Sequence, residues 1–288
     1  MDWKERAIEK VLLATALSSI LGLVLITAFI LREGLPFIAR QGLTEFAFSV
    51  EWAPTDEQPR FGILPMIAGS LSVTFGALAL GVPLGLGCAV FLTEYAPRRV
   101  ALFMKPALEL LAGIPSVVYG FLGMVILVPW IRQWFGGTGY SILAASIVLS
   151  VMILPTIISI SMDAIAAVPR SYREGSIALG ATNWQTTYML VLRAARSGII
   201  SAIILGMGRA VGETMAVIMV AGNSVALPRS LRDAVRTLTS TIGIEMGYAA
   251  GEHQHALFGV GVVLFIMIMI LNSIALMASR RKVAGGAT

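Results

Sequence analysis

Long runs without a charged side chain constrain this chain more than any other feature. Residues 11–31, 61–93, 110–131, 133–162 and 253–279 contain no Asp, Glu, Lys or Arg. A helix needs about 20 consecutive apolar residues to cross the hydrocarbon core of a bilayer, whereas a soluble core helix needs far fewer. A sixth run, residues 197–222, is equally apolar except for Arg209 and Glu213 near its middle. With 57% hydrophobic and 13% charged residues among 288, the chain has too little polar surface for an ordinary soluble domain. The expected fold class is therefore all-α, a polytopic transmembrane helical bundle of six spans.

The first run follows Lys4, Arg6 and Lys10 and has the look of a signal peptide, but it is longer than a usual leader and no small-residue cleavage pattern follows. A retained anchor is expected. The single cysteine, Cys88, lies in the second run, so an intrachain disulfide is ruled out and a small packed side chain is expected there. A net charge of +5 suggests nucleic acid only if the basic residues form one face, and here they sit in short clusters between runs. With the amino terminus inside, the cytoplasmic segments hold thirteen Lys and Arg, in clusters at Lys4–Lys10, Arg98–Lys105, Arg170–Arg196 and Arg280–Lys282. The external segments hold seven: Arg32, Arg40, Arg60, Arg132, Arg229, Arg232 and Arg236. The positive-inside rule then puts both termini in the cytoplasm of a multi-pass protein of the cytoplasmic (inner) membrane. The expected organisation is an anchor helix and external loop over residues 1–60, a transmembrane domain over 61–279 with cytoplasmic helices at about 170–196, and a cytoplasmic tail over 280–288.

Between the runs, residues 32–60 form a polar external connection with Pro36, Pro54 and Pro59, in which residues 43–48 are expected as a short interfacial helix. Pro65 and Pro83 are expected kink sites in the second run, and Gly69, Gly76, Gly81, Gly85 and Gly87 allow close packing of a neighbouring helix. In the third run, Gly113-Ile114-Pro115-Ser116 followed by Tyr119 and Gly120 would free backbone groups inside the membrane, which is tolerated only where protein or water covers them. Ser116 and Tyr119 are therefore candidates for the wall of a pathway, the alternative being a structural kink. Glu109 is expected at the cytoplasmic interface. The segment 223–252 has apolar positions at near-helical spacing and is expected to fold back toward a pore mouth. His253 and His255 lack further ligands, so a solvated loop is expected there and no metal site.

The segment from Val168 to Ile199 reads as two short helices on the inner face. Ser171 with Glu174 fits a capping box after Pro169, Gly180 suits a left-handed helix end, and Thr182 with Gln185 fits a second capping box. These residues resemble the coupling motif of ABC importer permeases: Glu174, Gly175 and Ser176 stand at its first positions, Gly180 at its glycine, and Leu190, Val191 and Leu192 at its apolar end. Gly175 and Ser176 are small but not Ala, and Arg193 stands where the family usually has Pro. The resemblance implies a type I ABC importer permease fold and a segment that seats in a cleft of a separate ATPase. None of the four lysines follows a glycine, so a phosphate-cradling Gly-Lys-Ser/Thr loop is absent. No cofactor is expected on this chain, and ATP and Mg belong to the partner ATPase.

Arg209 is the thirteenth residue of the run 197–222 and so lies about 18 Å along its helix. A charge at that depth costs about 2.5–3.5 kcal/mol on insertion scales and normally faces protein or a water-filled path. Glu213, four residues on, is expected on the same helical face. The two are either a structural pair or an oxyanion site, with Arg209 offering forked donors and Glu213 accepting a proton or holding the guanidinium. The stretch Gly206-Met207-Gly208-Arg209-Ala210-Val211-Gly212-Glu213-Thr214-Met215-Ala216-Val217, followed by Gly222-Asn223, resembles the PstC family of phosphate-transport permeases. The resemblance implies Arg209, Glu213 and Thr214 in the substrate pathway. It also implies a second permease subunit (PstA-like), an ATPase dimer (PstB-like) and an external phosphate-binding protein (PstS-like).

Other readings are a permease for molybdate, sulfate or phosphonate, an ion-coupled secondary anion transporter or channel using Glu213, and a non-transporting scaffold. The coupling segment speaks against the secondary transporter, and the cost of Arg209 against the scaffold. The topology carries a direct test. A cysteine at Ser176, in a chain whose Cys88 is replaced by Ser, is expected to resist membrane-impermeant maleimide in intact cells and to label after permeabilisation; labelling from outside refutes both the topology and the docking role.

Overall fold

The computed structural model describes residues 3–284, so residues 285–288 of the expected tail lie outside the described residues. Helix α1 (Trp3–Gln41) runs ten residues beyond its charge-free core, with Pro36 inside it. The connection after the first helix therefore begins at Gly42, whose φ of +86° turns the chain, and not at Arg32. The extension is held because Phe37 and Ile38 are buried against Phe46 and Phe61, with Phe37 edge-on to both rings. Helix α2 (Leu43–Phe48) is the expected interfacial turn. A two-strand antiparallel hairpin follows, β1 (Trp52–Ala53) with β2 (Arg60–Phe61), in which Trp52 faces Phe61.

Helix α3 (Leu64–Val90) continues as a wide π turn over Phe91–Tyr95. Pro65 lies in its first turn, where a missing N–H costs nothing, so only Pro83 is inside the helix. The third expected span is redrawn. Helix α4 (Arg98–Gly113) ends before extended Ile114 and Pro115, and the span itself runs from Ser116 to Phe135 as α5 (Ser116–Leu122), a π turn over Gly123–Leu127 and α6 (Val128–Phe135). The cause is local: the residue before a proline is pushed out of the helical region. Residues 133–135 close α6 instead of opening the fourth span, because Gly136, Gly137 and Gly139 adopt positive φ and Ser141 then caps α7 (Ile142–Ala166) by accepting from the Ala144 N–H at 3.1 Å.

Past α7 come α8 (Arg170–Ala178), α9 (Asn183–Gln185), a π turn over Thr186–Val191 and α10 (Leu192–Ala194). The chain then bends by 69° between Asn183–Ala194 and Arg196–Gly212. It re-enters the bundle as α11 (Arg196–Gly212) and α12 (Met215–Val220), leaves it, dips back as α13 (Leu238–Glu245), and finishes on α14 (Glu252–Ala284). Among the described residues five helices are long and apolar enough to cross a membrane, or six if the bent pair Asn183–Ala194 and Arg196–Gly212 is one span. The most apolar window of α7 is 67% buried, against 0% for α1, so α7 is the axis of the bundle and α1 a peripheral helix on α14.

The α3–α7 seam shows what the glycines of the second run do. A Cβ on Gly81 would sit 2.8 Å from Ile153 Cδ1, and one on Gly85 2.8 Å from Ile157 Cγ2, whereas Gly87 faces open space. Without a solvent-driven hydrophobic effect between helices in lipid, such close packing is the main source of adhesion. Gly81→Val is therefore expected to lower the stability of the purified protein by about 1–3 kcal/mol, as overpacking does, while Gly87→Ala leaves its thermal midpoint unchanged or slightly raised, as a helix-interior Gly replaced by Ala does. Thermal unfolding in detergent followed by circular dichroism checks the pair.

Candidate functional site

Two helix breaks meet inside the bundle. In the third span, Tyr119 is buried and its hydroxyl donates at 2.7 Å to the Leu111 carbonyl, which also accepts from the Ile114 N–H at 3.4 Å where α4 ends. In the sixth apolar stretch, α11 stops at Gly212, Glu213 is extended (ψ 127°), and α12 starts at Met215. The two breaks are neighbours because α5 lies on α12, so close that a Cβ on Gly120 would be 2.8 Å from the Ala216 Cα.

The second break overturns the expected helical pair. Arg209 is on α11, but Glu213 has left that helix, so the two do not share a face. The Glu213 carboxylate instead accepts from the Ala216 N–H at 3.0 Å, compensating the open amide end of α12. Arg209 is half-buried and, among the described residues, its guanidinium makes no hydrogen bond or ion pair. Thr214 donates to the Gly212 carbonyl at 3.3 Å, and Ser116 opens α5, half-buried. Arg209, Glu213, Thr214 and Tyr119 thus gather around adjoining breaks. The sequence signal for the second break was the acid itself: a Glu after Gly212, three residues before Ala216, is where a new helix presents free amides.

The segment between α12 and α14 does fold back. The Leu238 N–H donates to Ser70 Oγ at 2.9 Å, and Thr239 Oγ1 donates to the Glu213 carbonyl at 3.0 Å, so α13 bonds the backbone at the break. It is held there by Glu245, a residue the sequence reading passed over. Its buried carboxylate accepts from Trp52 Nε1 at 3.0 Å and Arg236 Nη1 at 2.5 Å, and it contacts His253 Nε2 at 2.8 Å. Arg236 Nε also donates to the Asn223 carbonyl at 3.1 Å. His253 is therefore a buried member of this network and not part of a solvated loop, while His255 faces Glu33 at 3.4 Å. An acid, an arginine and a histidine in one apolar segment were the available clue, but their meeting with Trp52 needs the tertiary fold.

At the opposite end, the segment between α7 and α11 departs from expectation at one cap. Pro169 occupies the N-cap of α8, so Ser171 lies inside the first turn and the expected Ser171–Glu174 capping box does not form. The second box does: Thr182 Oγ1 accepts from the Gln185 N–H at 3.2 Å, and Gln185 Oε1 accepts from the Thr182 N–H at 2.9 Å. Gly180 turns at φ +88°, as its position required. Ser176 and Thr186 hydroxyls meet at 3.0 Å. Glu174, Gly175 and Gly180 are exposed, as are Ile177, Leu179 and Trp184, whereas Leu190 and Leu192 pack partly buried beneath them.

A bundle of apolar helices with an exposed pair of short helices at one end and divided spans at its centre defines the class: the permease of an ABC importer. The same fold is found in a bacterial ABC transporter that imports the acidic polysaccharide alginate, with a TM-score of 0.63 over 97% of this chain and 98% of that one, at 16% identity. The chain belongs to the binding-protein-dependent transport system inner membrane components, which it matches over residues 81–283. It is 47% identical to YqgH of Bacillus subtilis (strain 168), named a probable ABC transporter permease, over 94% of this chain and 89% of that protein. It is 35% identical to the phosphate transport system permease protein PstC of Pasteurella multocida (strain Pm70), over 80% of this chain and 78% of that one. The chain is a multi-pass permease subunit of an ABC importer.

The Glu245 network carries a prediction. Removing one partner of a buried ion pair strands the other at a cost of about 3–5 kcal/mol. Glu245→Ala is expected to lower the thermal midpoint sharply and open residues 223–251 to protease, and Glu245→Gln, which keeps an acceptor, to do so less. Limited proteolysis of the two variants in detergent measures this.

Proposed function

We propose that this chain is the permease subunit of a phosphate importer, with Arg209 as the group that meets the anion. The carrying observation is that, among the described residues, the Arg209 guanidinium has no hydrogen-bond or ion-pair partner. Glu213 is engaged by α12, so Arg209 keeps its donors for an oxyanion, and an unpaired charge inside a membrane bundle is otherwise a net cost. Its planar fork matches two oxygens of a tetrahedral anion. Tyr119, Thr214 and Ser116 complete the wall of the path, Tyr119 chiefly by keeping the break in place. The PstC name of several relatives supports phosphate as the anion.

In this reading a PstA-like second permease closes the path, and an external PstS-like protein delivers phosphate. A PstB-like ATPase dimer, carrying ATP and Mg, grips the exposed α8 through Glu174, Gly175, Ser176 and Gly180, with Leu190 and Leu192 anchoring the segment below. Both termini are cytoplasmic. The chain itself catalyses no reaction.

Phosphate uptake at matched complex abundance tests the role of Arg209. Arg209→Gln is expected to lower uptake about tenfold or more, since a hydrogen bond to a charged group contributes about 1.5–3 kcal/mol, and Arg209→Lys to lower it less. Glu213→Gln is expected to retain most uptake, because an amide oxygen still accepts from Ala216. Normal uptake by Arg209→Gln sinks the site, and competition by sulfate, molybdate or phosphonate as strong as by unlabelled phosphate sinks the substrate.

A further inference from the structure

Helix α8 has no buried residue, so apolar packing does not fasten it to the bundle. Polar contacts fasten it instead: the Ser176 hydroxyl meets that of Thr186 on the following π turn at 3.0 Å, and Arg173 ties the helix to the spans. Its Nη2 donates to Glu94 Oε1 at 2.7 Å and its Nε lies 3.3 Å from Glu94 Oε2, a two-point grip on the π turn that ends α3. Its Nη1 donates to the Val168 carbonyl at 2.7 Å and its Nη2 also to the Ile165 carbonyl at 3.0 Å, at the end of α7. The side chains of Arg173 and Glu94 are only 22% and 12% exposed.

One guanidinium thus ties three elements, and two of them, α3 and α7, already form the tight glycine-lined seam of the bundle. We infer that Arg173, held by Glu94, is the positioning residue that makes α8 move as one rigid body with α3 and α7, so that motion imposed on the exposed helix reaches the membrane spans. A forked, planar cation is required, because an ammonium is a point donor and lacks the planar fork that grips both Glu94 oxygens while also bonding the end of α7. A two-state element that both ends bias is the physical basis of coupling at a distance, and this clamp joins the two ends. The inference rests on the ATP-driven reading above.

The test uses the assembled complex in lipid vesicles, with Cys88→Ser and spin labels attached at Leu84→Cys and Tyr172→Cys, both exposed positions. In the parent complex the distance between the labels is expected to be narrow and the same with and without ATP. Arg173→Gln is expected to broaden it and make it nucleotide-dependent. Phosphate transported per ATP hydrolysed is expected to fall on the order of fivefold or more, as a coupling term of this kind allows, with hydrolysis itself maintained. If Arg173→Gln does not assemble, Glu94→Gln, which leaves the carbonyl bonds of Arg173 in place, is expected to show the same change in smaller degree. Unchanged distances in the assembled variant, or transport and hydrolysis falling in proportion, overturn the clamp. A parent complex that hydrolyses ATP without moving phosphate overturns the substrate reading instead, and the label distances still report on the clamp.

Discussion

Backbone amides and carbonyls that leave a helix inside a membrane must be bonded by another part of the protein, and this molecule is arranged around two places where that happens. The cost of an unpaired peptide group in an apolar medium is several kcal/mol, so each break exists only with a dedicated partner. Tyr119 serves the first through the Leu111 carbonyl. Glu213 and Thr239 serve the second, one at the Ala216 amide and one at the Glu213 carbonyl. Because Thr239 is on α13, the break shares a bond with the segment that folds back after α12, and that segment is held by Glu245. The divided span, the re-entrant helix and the buried network are therefore one construction.

Charge is treated in two opposite ways along it. Around Glu245, every formal charge has a close partner, and the cluster joins the hairpin, α13 and the start of α14. Such a network holds parts in register more than it adds net stability, since desolvation offsets much of the attraction. Arg209 has no such partner among the described residues, although an acid stands four positions away in sequence. The break turns that acid to another task. A helix continuous through Glu213 would have set the two charges one turn apart on the same face.

Much of the architecture was legible because lipid makes harsh demands on sequence. A charge-free run of span length has few other uses, and Gly180, Thr182 with Gln185, and residues 43–48 behaved as local chemistry required. Span edges were less legible. Charge-free runs overshot at residues 110–115 and 133–141, where Pro115 and the glycines 136, 137 and 139, not charge, end helices. The α1 extension past Arg32 was missed for the converse reason, since charged residues remain helical when a buried flank such as Phe37 holds them.

Sequence alone determined the membrane class, the run of five to six apolar helices, the two short helices after α7 and the presence of an arginine within an apolar run, because these follow from composition and from contacts within a few residues. Only the tertiary structure decided that Glu213 leaves Arg209, that Glu245 gathers Trp52, Arg236 and His253, and that Arg173 ties α8 to two spans. Each of these depends on a partner tens to hundreds of residues away, or on a backbone break that is stable only once such a partner is in place, and local periodicity carries no record of either.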